Sequence, residues 1–283
     1  MIEARRVAEL RAYLAHMRER RQRLALVPTM GNLHAGHVRL FTEARRHADA
    51  VIASIYVNPL QFGANEDFGT YPRTPVEDRE ALLAANVDLL FMPEDADIYP
   101  RGPAAQTTVE VPGISDVLCG AYRPGHFRGV TTVVNRLFNV IAPEVALFGK
   151  KDYQQWLVIR MMVADLGLPI EIVGVDTVRE TDGLALSSRN RYLNAAERAQ
   201  APMLYQTLQQ AARRVRAGAA PASAETEAAD ALRQGGFRPE YVSVRRAADL
   251  GEPRADEREL VVLAAAWLGR TRLIDNVEFT RAI

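Results

Sequence analysis

The stretch Pro28-Thr-Met-Gly-Asn-Leu-His34-Ala-Gly-His37 sets two histidines three residues apart with Gly36 between them. It follows a short apolar run, Leu24–Pro28, and leads into apolar residues at helical spacing, Val38, Leu40 and Phe41. In an open α/β sheet, ligands bind outside the carboxyl ends of strands, and a glycine-bearing loop entering a helix offers unpaired N–H groups to a phosphate. Two imidazoles placed there can donate hydrogen bonds to the oxygens of a phosphorus centre as charge builds in the transition state. Gly36 leaves no Cβ to obstruct the approach of that phosphate. A bare histidine pair at this spacing is usually structural; the strand, Gly31, Gly36 and the helix favour chemistry. Zinc fits poorly, because a catalytic zinc takes three protein ligands and helical pairs favour H-E-x-x-H, whereas Ala35 and Gly36 stand between these histidines.

Three further segments carry chemistry. Ser54 to Gly63 contains Asn58 and Gln61, neutral amides suited to a small polar substrate; turn chemistry around Asn58-Pro59 accounts for them equally well. Gly149-Lys-Lys-Asp-Tyr-Gln-Gln155 again follows a strand and opens a helix, so it faces the first loop across a crevice. Arg179 to Asn190 gathers Ser187, Ser188 and Arg189, hydroxyls and a guanidinium that can hold outer phosphates, although taken alone an exposed loop with capping serines is the more ordinary reading. Neither a Walker-A sequence nor G-x-G-x-x-G occurs, so a P-loop or dinucleotide fingerprint is not the route.

The elements that position these segments follow from the apolar pattern. Leu24–Pro28, Val51–Val57, Val87–Phe91, Val145–Phe148 and Glu171–Val175 read as strands alternating with helices, the signature of βα units around a parallel sheet. Thr74-Pro-Val-Glu77 gives an N-cap, a first-turn proline and a capping-box glutamate for a helix to about Ala85. Another helix runs from Asp152 to Leu166, stopped by Gly167 and Pro169, and Val130 to Ile141 is a buried helix. Met1 to Arg23 reads as an amphipathic helix. Beyond Glu180, Asn194 to Ala217 reads as one long helix; a second helix and strands at Tyr241–Val244, Leu260–Ala266 and Arg272–Phe279 suggest a small helix-plus-antiparallel-sheet unit. The expectation is a Rossmann-like parallel-sheet domain over residues 1–180 and a smaller, lid-like α+β domain over 181–283, divided near Arg179 to Gly183.

Composition narrows the ligand. The 283 residues are 48% hydrophobic and 25% charged, which excludes disordered and collagenous classes. The 35 basic and 35 acidic residues cancel, so no global field holds the chain on nucleic acid or an anionic membrane; any polyanion needs a local site. Of the basic residues only Lys150 and Lys151 are lysines. Lysine supplies a compact, mobile point charge where arginine supplies a rigid fork. The longest apolar run, Leu260 to Leu268, has nine residues against the ~20 a spanning helix needs, so no membrane association is expected. The single cysteine, Cys119, excludes an internal disulfide, suits a reducing compartment and reads as an inert buried thiol. With no signal-peptide pattern, the expected location is the cytoplasm.

Taken together, the blocks Pro28–His37, Ser54–Thr74, Arg123–Asn139, Phe148–Trp156, Arg179–Leu193 and Thr271–Phe279 resemble the pantothenate synthetase (pantoate–β-alanine ligase) family of HIGH-motif nucleotidylyl transferases. The resemblance implies two steps: pantoate and ATP give pantoyl adenylate and pyrophosphate, then β-alanine displaces AMP, with Mg²⁺ on the phosphates through ligands it does not identify. It further implies that ATP is bound by Met30, Gly31, Asn32, Leu33, His34, Ala35, Gly36 and His37, by Gly149, Lys150, Lys151 and Asp152, by Val178 near the adenine, and by Leu186, Ser187, Ser188 and Arg189. His37 would be catalytic with His34 and Lys151; Gln61, Gln155 and Asn58 would serve pantoate, and Gln61 also β-alanine. A homodimer is implied by the family alone. The chain departs from the family at Asn32, where alanine is common, at Lys150, where glutamate is, and at Leu186, where methionine is. The rival reading is another HIGH-motif adenylyl transferase; a phosphate-bearing acceptor would call for a cationic pocket, not Asn58, Gln61 and Gln155. A catalytically silent nucleotide-binding protein is disfavoured by the intact histidine pair.

Overall fold

The computed structural model describes residues 1–64 and 66–282; Asn65 and Ile283 lie outside the described residues. Six strands, β1 (Ile2–Ala4), β2 (Leu24–Thr29), β3 (Ala50–Ile55), β4 (Leu89–Phe91), β5 (Val145–Gly149) and β6 (Glu171–Val175), form one sheet in the order β1-β4-β3-β2-β5-β6. Every pairing in it is parallel. From β2 the chain first builds outward to β3 and β4, then returns to lay β5 against the other side of β2. The strand order therefore reverses between β2 and β5, and a crevice opens there at the carboxyl ends of both.

Strand alternation explains why helices cover both faces. Leu24 and Leu26 of β2 point to one side, where they meet Leu10 and Leu14 of α1 (Val7–Glu19) and the cores of two helices numbered below. Ala25 and Val27 point to the other side, onto Leu40, Phe41 and Ala44 of α2 (Ala35–His47) and Leu82 of α3 (Pro75–Ala84). Two single-turn helices follow, α4 (Asp95–Ile98) and α5 (Cys119–Tyr122). The strongly amphipathic α6 (His126–Ile141) and α7 (Tyr153–Asp165) then complete the first face. Cys119 is buried and unbonded to another cysteine, as expected.

The second sheet is antiparallel, β7 (Arg238–Arg246), β8 (Glu259–Leu268) and β9 (Thr271–Thr280). One face, including Leu260, Val262 and Ala264, packs on α9 (Met203–Arg216) and α10 (Pro221–Gln234), which follow the short α8 (Ala195–Gln200). Val261 and Leu263 point the other way, into the core that contains α6 and α7. The nine-residue apolar run is thus a strand buried on both faces.

Three local readings are corrected. Met1 to Arg23 is not all helix: Ile2–Ala4 pairs with β4 at the sheet edge before α1 begins. The long helix from Asn194 breaks at Ala201-Pro202, because proline has no N–H for an interior helical bond. The Asn194–Glu197 capping box forms at its start. At Thr74 no capping box forms; the Thr74 hydroxyl instead donates to Asp78 at 3.1 Å.

Candidate active site

The first loop leaves β2 through two residues in the left-handed region, Gly31 at φ 81° and Asn32 at φ 51°. Asparagine tolerates that region better than most side chains, which gives Asn32 a conformational reason to stand there. The loop is clamped from α3: the Asp78 carboxylate accepts the N–H of Asn32 at 2.9 Å and of Leu33 at 2.7 Å. Asp78 is only 3% exposed, and a Cβ on Gly31 would stand 2.9 Å from its Oδ2. Gly31 thus admits the carboxylate as well as the turn.

His34 caps α2, its Nδ1 accepting the N–H of Gly36 at 3.1 Å, while Nδ1 of His37 accepts the N–H of His34 at 3.3 Å. Both Nδ1 atoms being acceptors, each neutral ring carries its proton on Nε2. Burial, with the Lys151 charge second, lowers the His34 pKa to about 4; burial and the neighbouring His34 lower that of His37 to about 3. The rings lie 4.2 Å apart, centroid to centroid. A Cβ at Gly36 would come within 2.9 Å of the His34 ring, so this glycine lets the cap fold back over the helix start. That close approach within the chain is a second reason for Gly36, beside the one anticipated for a phosphate.

Across the crevice, β5 ends in a tight turn, Lys150–Asp152, before α7. The turn is held by Asn276 of β9, whose side-chain amide donates to the carbonyls of Lys150 and Lys151 at 2.8 and 3.0 Å. The two lysines part company. Lys151 lines the cavity, with its nitrogen 3.8 Å from Asp152. Lys150 pairs with Glu278 of β9 at 2.9 Å and Asp176 at 3.2 Å, and lies outside the cavity lining. The positive charge at this position is matched by these two acidic partners.

The remaining wall comes from the turn at Pro59–Gln61 and from the segment after β6. Asn58 is buried at 1% exposure and bonds only to the protein, including Gln61 and Tyr99, so it stands behind the wall rather than in it. Gln61 lines the cavity. Its backbone carbonyl faces His126 Nδ1 at 2.8 Å and accepts from Arg123 at 3.3 Å. Arg123 also places a guanidinium N–H 3.0 Å from His126 Nε2 and binds Glu66 through Nε at 2.8 Å. Burial and then Arg123 lower the His126 pKa to about 3, so it is a neutral ring with its proton on Nδ1. On the far side Ser187 caps the turn at Arg189, and Ser188 donates to the Asn32 carbonyl at 3.2 Å, tying this segment to the first loop. Arg189 pairs with Asp67 at 2.8 Å through Nη2 and 3.2 Å through Nε.

These segments enclose a cavity of about 240 Å³ lined by Met30, His34, Gly36, His37, Gln61, Gly149, Lys151, Asp152, Gln155, Val178, Leu186, Ser187, Ser188 and Arg189 among others. Gln61, Lys151, Asp152 and Arg189 also line a wider neighbouring cavity of about 940 Å³ that reaches β9. Gly31, Asn32, Leu33 and Ala35 form the backbone around the first loop rather than the lining. Sequence reasoning missed Asp78, Arg123, His126 and Asn276. Their signal was long-range: each bonds a segment distant in the chain, and only the Arg123–Asn139 and Thr271–Phe279 blocks as wholes stood out.

The profile of the family "Pantoate-beta-alanine ligase" matches residues 3–278 of the chain that builds this cavity. The chain is 58% identical to the pantothenate synthetase of Shewanella amazonensis over 97% of its length and 98% of that protein. It is 57% identical to the pantothenate synthetase of Chromohalobacter salexigens over 96% of each. Its fold superposes on the crystal structure of pantothenate synthetase from Thermus thermophilus with a TM-score of 0.91, at 46% identity over 98% of this chain and 99% of that one. It matches the pantoate-beta-alanine ligase of Francisella tularensis, solved with β,γ-ATP and β-alanine, with a TM-score of 0.83 at 32% identity over 98% and 97%. By sequence over nearly its whole length and by fold, the chain belongs to the pantoate–β-alanine ligase family.

Proposed function

We propose that the switch-point cavity joins pantoate to β-alanine at the expense of ATP, through pantoyl adenylate, giving pantothenate, AMP and pyrophosphate. The observation that carries this reading is the convergence on one cavity of two neutral, Nε2-protonated histidines from the first loop, Lys151 and Gln155 from across the crevice, and Gln61 from the Pro59–Gln61 turn. The pantoate carboxylate is already a nucleophile at neutral pH. Its oxygen attacks the α-phosphorus, the bond to the bridging oxygen breaks, and pyrophosphate leaves with that electron pair. What the site must supply is alignment of two anions and relief of their repulsion, rather than a base.

Lys151 supplies the fixed positive charge, and His34 and His37 donate hydrogen bonds to phosphate oxygens without first needing a proton. Ser187, Ser188 and Arg189 close over the leaving phosphates, where ATP would take the Arg189 guanidinium from Asp67. In the second step the free amine of β-alanine attacks the acyl carbon, the bond from that carbon to the AMP oxygen breaks, and AMP leaves as the nitrogen sheds one proton to solvent. Val178 is assigned to the adenine, Gln155 to pantoate, and Gln61 to both acid substrates.

Magnesium belongs to the same proposal. It is usually bound through one or two carboxylates, waters and substrate phosphates rather than by a protein cage. Among the described residues no group of three acidic, histidine or cysteine ligands occurs, and Asp152 and Asp176 are the carboxylates in the lining; this fits an ion carried on the phosphates, which would neutralise them. No helix among the described residues is long and apolar enough to cross a membrane. A cytoplasmic homodimer, with residues 1–180 holding ATP and pantoate and 181–283 closing as a lid, completes the reading.

A coupled assay tests it: AMP is released from ATP when pantoate and β-alanine are both present. AMP release without pantoate, or equal turnover with an unrelated phosphate-bearing acceptor, overturns the assignment.

A further inference from the structure

Asn58 has a primary amide with two lone pairs and two N–H groups, and all four are used inside the protein. Its Oδ1 accepts the N–H of Leu60 at 3.2 Å and the hydroxyl of Tyr99 at 2.6 Å. Its Nδ2 donates to the carbonyl of Gly129 and to Oε1 of Gln61, both at 3.0 Å. The amide cannot be turned over, because a backbone N–H only donates and a backbone carbonyl only accepts; reversal would set like against like on both sides. The second proton on Nδ2 therefore meets Gln61, and Gln61 must answer with its oxygen. Its Nε2 is left on the cavity side, 3.2 Å from the Met30 sulfur.

We propose that Tyr99 and Asn58 form a positioning relay that holds the Gln61 amide with its N–H groups toward the cavity, so that the site selects an acid substrate presenting acceptor oxygens. Neither residue touches the substrate: Tyr99 is 2% exposed and Asn58 1%. The polarity is imposed by the backbone of Leu60 and Gly129 and passed through Asn58, and the tyrosine hydroxyl, donating to Oδ1, holds the Asn58 amide in place for that contact. Without the hydroxyl Asn58 keeps its polarity but loses one of its four anchors, so its Nδ2 no longer sits firmly against Oε1 and Gln61 can turn its oxygen inward, where it repels the pantoate carboxylate. The assignment of the acid substrate to this cavity rests on the functional reading above.

Two measurements on the full chain decide the matter. In steady-state kinetics, Tyr99→Phe raises the pantoate KM about fivefold, the scale of one neutral hydrogen bond, and leaves the ATP KM unchanged. In a Gln61→Met background, which has no amide to orient, the same tyrosine change has no further effect on the pantoate KM. A wild-type pantoate KM in Tyr99→Phe, or equal rises in both KM values, overturns the relay. Selective ¹⁵N-glutamine labelling reads it without any ligand: the Gln61 side-chain signals, assigned by their loss in Gln61→Met, are a single pair in the wild type and broaden or split in Tyr99→Phe. An unchanged pair overturns the relay even if the wild type fails to use pantoate, which would count against the functional reading alone.

Discussion

Asp78 accepts the backbone N–H of Leu33 at 2.7 Å across 45 residues of sequence, and so joins α3 to the loop that opens α2. Its second oxygen takes the N–H of Asn32 at 2.9 Å, so one side chain satisfies two consecutive donors of a left-handed turn. Asp78→Asn keeps the shape but replaces one acceptor by an NH2 group, leaving a buried backbone donor without a partner, at a cost of about 1–3 kcal/mol. The expected result is a lower melting temperature and an ATP KM raised about tenfold, with the pantoate KM unchanged. A folded Asp78→Asn protein with wild-type ATP KM would show that the loop needs no clamp.

Three half-buried histidines couple stability to pH. His34, His37 and His126 are held neutral, at about 4, 3 and 3, against an ordinary value of 6.5. Between those values the unfolded chain binds protons that the native chain refuses, so their contribution is complete above pH 6.5 and is lost as pH falls toward 4. Each such site adds at most about 1.4 kcal/mol of stability loss per pH unit. His126→Gln should reduce the fall in urea midpoint between pH 7 and pH 5, a window in which most carboxylates remain ionised. An undiminished slope in that variant would mean that His126 titrates normally in the native protein.

Much of the site was legible before the fold because its parts are local: a strand, a glycine-bearing loop and a helix start occur within some ten residues, as in Pro28 to His37. The parallel sheet was legible for the same reason, each buried strand being a short apolar run. Asp78 was not, since Thr74 and Glu77 offered a familiar capping pattern one residue away and nothing in sequence marks a carboxylate that points to a loop 45 residues upstream. Asn276 is likewise visible only once β9 lies against the Lys150–Asp152 turn. Ile2–Ala4 is too short to show a strand period. The break at Pro202 was available, and the apolar spacing on either side concealed it.

The two lysines give opposite expectations from adjacent positions. On the proposed mechanism Lys151→Ala, like His37→Ala, removes an oriented partner of the transition state and should lower kcat at least ~10²-fold. Lys150 is occupied by Glu278 and Asp176, both exposed, and such pairs contribute ~0.2–1 kcal/mol. Lys150→Ala should therefore leave kcat and the ATP KM within about twofold while lowering the melting temperature slightly, and less so at high salt. A large loss of ATP affinity in Lys150→Ala would place that nitrogen on the phosphates instead.

Gly129 offers a test in which helix propensity and packing have opposite signs. It lies inside α6, where replacing glycine by alanine ordinarily stabilises a helix by about 1 kcal/mol. Here a Cβ would stand 2.2 Å from the Leu60 carbonyl oxygen and 2.6 Å from the Gln61 nitrogen, backbone atoms that cannot swing aside like a side chain. The helix must then retreat from the Pro59–Gln61 turn, and the Gly129 carbonyl withdraws from Asn58. Overpacking of this kind typically costs about 1–3 kcal/mol, enough to outweigh the propensity gain. Gly129→Ala is thus expected to lower the urea midpoint and to raise the pantoate KM together, because the same displacement strains the core and moves Gln61. An increase in stability with unaltered pantoate KM would mean that the turn follows the helix without cost.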